Sequence, residues 1–147
     1  MTPSHRVAVT GLGAVCAVGR GVPAVWEALR AGSCGIGPIE TVPHDRLTVR
    51  VAAEVRGFEP SDHFEPRRLP LLDRSTQLAL VAAREAMRDA GLAADPAHAR
   101  RRAAVFGAAV GQHTIDAAYA TLYGAGTNRV SPLTVPRIMP NAPASHV

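Results

Sequence analysis

The chain has 147 residues, 47% hydrophobic and 19% charged, which suits about one soluble globular domain with a buried core rather than a disordered protein. Its formal net charge is +4, but all 16 basic residues are Arg; they lie singly or in short runs without interleaved aromatics, which argues against a nucleic-acid surface. The lack of Lys removes Schiff-base and Walker-lysine chemistry, and with no signal-like start and no apolar run near the ~18 residues of a membrane span, a cytoplasmic location is expected.

Val7 to Val9 is a short β-branched run ended by Gly11 and Gly13, and it reads as a buried strand. Helical spacing of Val22, Val25 and Leu29 follows, with Pro23 near the first turn and Gly32 as the stop. Leu47 to Val55 is partly alternating and predicts a strand, whereas Pro60, Pro66 and Pro70 prevent one regular element between Gly57 and Leu72. Asp73 to Ala90 predicts a long helix, capped by Asp73 or Ser75 and closed by Gly91. Its wide small-residue stripe (Leu78, Ala82, Ala86, Ala90) is expected to cover a sheet, with Arg84, Glu85, Arg88 and Asp89 on the other face.

Ala103 to Gly111 is a continuous apolar run, as expected for a strand covered on both faces. Thr114 to Gly124 predicts a further helix, and Asn141 with Pro143 marks another helix start. Alternating strands and helices imply a single α/β layered domain over 1–147 with a parallel sheet of three strands.

The candidate chemistry begins at Gly11-Leu12-Gly13. A Gly-x-Gly after a strand can open a dinucleotide-binding loop, but that loop needs a third Gly at position 16, an immediate helix and an acid about 20 residues on. Position 16 is Cys, Pro23 delays the helix, and Glu54 comes too late. Cys16 as a nucleophile would need a base or an electropositive setting, yet its neighbours are apolar, which favours an inert buried thiol. Cys34 sits in a Gly-rich turn and reads as a loop residue; with Cys16 it makes neither a disulfide nor a zinc signature, and no metal or cofactor is expected. His113, at a strand-to-helix junction, and His146 could each be catalytic or structural, without a carboxylate at supporting spacing.

The order of blocks says more. "RVAVTGLGAVCAVG", "WEALRAGSCGI", "DRSTQLALVAAREAMRDAGL", "GAAVGQ" and "SPLTVPRIMPNAPASHV" run in sequence from Arg6 to Val147. Together they resemble the N-terminal part of a β-ketoacyl-[acyl-carrier-protein] synthase of the bacterial elongating type. The resemblance implies a thiolase-like αβαβα fold, here its N-terminal half and incomplete, normally paired with a second synthase subunit in a homodimer. It also implies a decarboxylative Claisen condensation of thioesters carried by acyl carrier protein, in fatty acid or polyketide synthesis.

In that family the nucleophilic Cys, two His and a Lys lie beyond the block matched by "PNAPASHV", so no catalytic residue is carried over and neither Cys16 nor Cys34 matches the nucleophile. The resemblance assigns two positions to the acyl pocket, Val110 in "GAAVGQ" and Thr134 in "SPLTVP". The chain is therefore expected to be an inactive, marginally stable piece truncated before the nucleophile. The alternatives are a non-catalytic partner of a complete synthase and a small nucleotide-binding α/β protein.

Overall fold

The structure, a computed structural model, describes residues 6–92, 100–108, 112–124, 127 and 129–147. The chain divides into two compact units, Met1–Arg56 with Ala82–Ala94, and Gly57–Val81 with Asp95–Val147.

In the first unit β1 (Val15–Cys16) pairs antiparallel with β2 (Gly19–Arg20), placing Cys16 opposite Gly19. Helix α1 (Val22–Arg30) follows, with Pro23 in its first turn, where a missing N–H costs nothing. Gly32 ends it at φ +66°: Gly32 N–H donates to the Leu29 carbonyl at 3.1 Å and Ser33 N–H to the Ala28 carbonyl at 2.9 Å. This paired closure requires a left-handed residue, which is why a glycine stands there.

Strand β3 (Ile36–Pro38) pairs antiparallel with β4 (Val51–Ala53), Gly37 facing Ala52. The loop joining them is tied to the end of β4 by Glu54, which accepts the Thr41 hydroxyl, the Glu40 N–H at 2.8 Å and the Thr41 N–H at 3.1 Å. The Thr41 hydroxyl foremost, then the Glu40 N–H, holds the Glu54 carboxyl below its ordinary pKa.

The sheet departs from expectation. Of the three strands predicted, only the middle one pairs among the described residues, over Val51–Ala53, and it pairs antiparallel with β3, where no strand is predicted. Residues 7–9 and 103–108 make no ladder, and positions 109–111 of the latter run lie outside the described residues. Val7, Val9 and Val105 are 90%, 79% and 91% exposed. The physical reason is that β-branched runs favour extended backbone but do not supply the neighbouring backbone that a ladder needs.

In the second unit the segment from Gly57 to Leu72 forms only the short 3₁₀ turns Pro60–Asp62 and Leu69–Leu71, as its prolines dictate. Phe58, Phe64, Leu72, Leu80 and Ala142 supply the buried apolar core. The Phe58 ring lies 4.9 Å from the His63 ring and 4.6 Å from the Arg74 guanidinium, and Arg74 also donates to the Phe58 carbonyl at 3.1 Å.

Helix α2 (Arg74–Asp89) starts and stops where the cap residues predict. Asp73 Oδ1 accepts both the Ser75 N–H and the Ser75 hydroxyl at 3.1 Å. Gly91, at φ +66°, closes the other end, with Leu92 N–H donating to the Met87 carbonyl at 2.9 Å. Helix α3 (Gln112–Tyr119) runs into a π-helical turn, Ala120–Gly124. Two short helices follow, α4 (Thr134–Ile138) and α5 (Ala142–His146). Asn141 precedes α5 as predicted but makes no side-chain cap bond.

Candidate functional site

In the first unit the Gly-x-Gly segment lies against the second half of α2. A Cβ built on Gly11 would fall on the Ala86 carbonyl oxygen and 2.5 Å from the Ala90 nitrogen, and one on Gly13 on the Ala82 carbonyl oxygen. Neither glycine has positive φ. They are present because helix backbone occupies the space a side chain would need.

The acids that spacing sets apart from the small-residue stripe of α2 also accept backbone N–H groups. Glu85 accepts the Ala14 N–H at 2.9 Å and the Val22 N–H at 2.7 Å, and Asp89 accepts the Leu12 N–H at 2.9 Å. A phosphate loop needs these same amides free and a positive local potential. Here the amides of Leu12, Ala14 and the first turn of α1 already face carboxylates, which would repel a phosphate. The reading of this segment as a phosphate loop is thereby corrected.

Cys16 is half-buried in β1 and Cys34 is exposed; both are free thiols. His113 falls within α3 and His146 at the end of α5, the latter half-buried. Among the described residues no group of three or more His, Cys, Asp and Glu gathers at metal-binding range. Val110 lies outside the described residues.

In the second unit a polar network reaches a surface cleft. Asp73 is 2% exposed and Thr114 is 6% exposed, and the Thr114 hydroxyl donates to Asp73 Oδ2. Burial pushes the Asp73 carboxyl up, but the bonds from Thr114 and Ser75, with the Arg137 charge, outweigh it and hold the group below its ordinary pKa. The Leu72 carbonyl accepts from Gln77 Nε2 at 3.2 Å and from Arg137 Nη2 at 3.4 Å.

Thr114 and Arg137 are also part of the lining of an open cleft of about 300 Å³, together with Thr121, Arg129, Ser131 and Thr134. Thr134, assigned to the acyl pocket by resemblance, thus opens α4 at the cleft wall. The Asp73–Thr114–Arg137 set was not foreseen. Asp73 reads locally as a cap, and nothing in the pattern announces that its second oxygen meets a residue 41 positions away.

The chain matches the family described as "Beta-ketoacyl synthase, N-terminal domain" over residues 4–147. It is 38% identical over 144 residues to nodulation protein E of Rhizobium sp. (strain N33), covering 97% of this chain and 36% of that protein. It is 34% identical over 148 residues to 3-oxoacyl-[acyl-carrier-protein] synthase 2 of Staphylococcus aureus (strain COL), covering 100% of this chain and 36% of that protein. Among solved structures it resembles a β-ketoacyl synthase from Burkholderia phymatum STM815, with a TM-score of 0.76 at 25% identity over 95% of this chain and 35% of that one. It also resembles the ishigamide ketosynthase/chain length factor, with a TM-score of 0.74 at 28% identity over 94% of this chain and 35% of that one. The backbone trace is therefore that of the N-terminal part of the thiolase-like ketosynthase fold, even where ladder pairing is absent among the described residues. The chain spans about a third of the length of these relatives (36% or 35% of each), and it belongs to the family of β-ketoacyl synthase N-terminal domains.

Proposed function

We propose that this chain serves as the N-terminal portion of a β-ketoacyl-[acyl-carrier-protein] synthase acting in the cytoplasm on fatty acid or polyketide intermediates. The observation that carries the reading is the family match over residues 4–147, joined by a relative named 3-oxoacyl-[acyl-carrier-protein] synthase 2. In the proposed reaction an acyl group passes from acyl carrier protein to a cysteine outside these residues. A malonyl thioester then loses carbon dioxide, and the carbanion attacks the acyl thioester. Residues 1–147 shape the acyl pocket, through Val110 and, across the pairing with a second synthase subunit, through Thr134.

The test is a chimera in which this chain replaces the matching N-terminal third of the staphylococcal synthase. Condensation product from acyl- and malonyl-carrier protein is expected, with chain-length preference altered by Thr134→Phe. A folded chimera that binds carrier protein and makes no product overturns the reading. Mass spectrometry of the chain alone with an acyl thioester is expected to leave Cys16 and Cys34 unacylated.

A second reading, a non-catalytic partner of a complete synthase, draws on the similarity to the ishigamide ketosynthase/chain length factor. Co-expression separates the two: stable co-purification with an intact synthase favours the partner, and a lone chain excludes it.

A further inference from the structure

The cleft of the second unit, whose Thr134 the proposed function gives to the acyl pocket, also carries a charge pattern. Its lining carries two guanidinium groups, Arg129 and Arg137, with the hydroxyl-bearing Thr121, Ser131 and Thr134 beside Ala117, Ala118 and Val130, and no carboxylate among the described residues. Asp73, the acid behind it, accepts its hydrogen bonds elsewhere, Oδ1 from Ser75 and Oδ2 from Thr114, and meets Arg137 through its charge alone. Neither arginine forms an ion pair among the described residues.

Arg137 is the more telling of the two. It makes one long bond, from Nη2 to the Leu72 carbonyl at 3.4 Å, and its Nε is buried without an acceptor. A guanidinium presents N–H groups in a planar fork that suits the paired oxygens of a carboxylate or phosphate; with the Nε enclosed, the terminal Nη groups are the ones a ligand in the cleft meets. A cation would be repelled here, and an aliphatic chain would cover the guanidinium groups without pairing them. The volume of about 300 Å³ holds a small oxyanion and a few further atoms, at the lower end of ligand sites.

We propose that this cleft is an oxyanion site, which takes the phosphate or carboxylate group of a small ligand between Arg129 and Arg137. It does not rest on the condensing reaction, and its failure would leave the family reading intact.

The test is a titration of the full, isotopically labelled chain with inorganic phosphate, and separately with acetate, at ionic strength held constant with sodium chloride. Saturable shifts at the amides of Thr114, Thr134 and Arg137 are expected, and the tighter of the two anions identifies the ligand class. Arg129→Gln, an exposed position, is expected to weaken binding about tenfold by removing one charge-assisted contact. Arg67→Gln, equal in charge change but outside the cleft, is expected to leave it unchanged. Arg137→Gln is expected to abolish binding, with spectral dispersion checking its fold; if it fails to fold, Arg129→Gln against Arg67→Gln decides. Shifts that do not saturate, or an equal effect of Arg67→Gln and Arg129→Gln, overturn the proposal.

Discussion

Replacing Gly13 with Ala tests whether the Gly-x-Gly segment is built for packing against α2. The added Cβ would fall on the Ala82 carbonyl oxygen, with the Ala86 nitrogen at 2.8 Å and the Ala82 carbonyl carbon at 2.9 Å. Ordinary contact between carbon atoms begins near ~3.5 Å. All three obstacles are helix backbone, which cannot rotate aside as a side chain can. Overpacking of this kind costs about 1–3 kcal/mol. The displacement also strains the Leu12 and Ala14 N–H bonds to Asp89 and Glu85, both 2.9 Å. Bonds to charged acceptors contribute about 1.5–3 kcal/mol each, less where the carboxylate meets solvent as here. Ala also restricts the unfolded chain, which offsets roughly 0.4–1 kcal/mol.

The net is a loss of about 2–4 kcal/mol, or a fall of about 1–2 M in the urea midpoint at an m-value near ~2 kcal/mol/M. The chain's one tryptophan, Trp26, lies in the same unit and reports the transition by fluorescence. Gly107→Ala is the control, because nothing lies within 4 Å of a Cβ there. A Gly13→Ala midpoint within about 0.2 M of wild type, or an equal fall for Gly107→Ala, refutes the reasoning.

The same unfolding assay separates the two acids of α2. Glu85 is half-buried and accepts two N–H groups, whereas exposed Asp89 accepts one, so Glu85→Gln should cost about 1 kcal/mol more than Asp89→Asn; the reverse order would count against the backbone clasp. Despite its burial, the Asp73 carboxyl is held below the ordinary carboxylate range, by the Thr114 hydroxyl foremost. Its contribution is full above the unfolded carboxyl range and is lost as pH falls through the lower folded value. Thr114→Val removes the buried hydroxyl donor and should cost about 1–3 kcal/mol at neutral pH. That difference should narrow below about pH 4, as wild type loses its advantage. A difference constant from pH 7 to pH 3, followed by circular dichroism, would show that Thr114 does not act through the Asp73 charge.

How much was legible in the sequence depends on whether the determining contact is local. The helix ends were legible because Pro23, Gly32, Asp73 and Gly91 act on their immediate neighbours, and each stands at the predicted turn. The bonds of Glu85 and Asp89 were not legible because periodicity assigns a residue to a helix face without saying what approaches that face. The Asp73–Thr114 bond spans 41 positions, and neither residue carries a pattern that marks the other. Resemblance assigns Thr134 to an acyl pocket and does not announce its place on the cleft wall, and its companions Arg129 and Arg137 are visible in the sequence only as scattered positive charge.

The two unpaired apolar segments carry the last step. Val7, Val9 and Val105 stand largely exposed, although each full valine burial contributes about 1.5–3 kcal/mol. Three such burials amount to roughly 5–9 kcal/mol, the size of a whole domain's net stability. Ladder pairing would come on top of that. The solved ketosynthases that share this chain's trace are almost three times its length, since it covers 35% of each. Covering residues 7–9 and 103–108 would therefore contribute more to stability than the helix caps do. Helix caps act within the first and last turns, whereas an exposed β-branched run contributes only when a partner strand covers it.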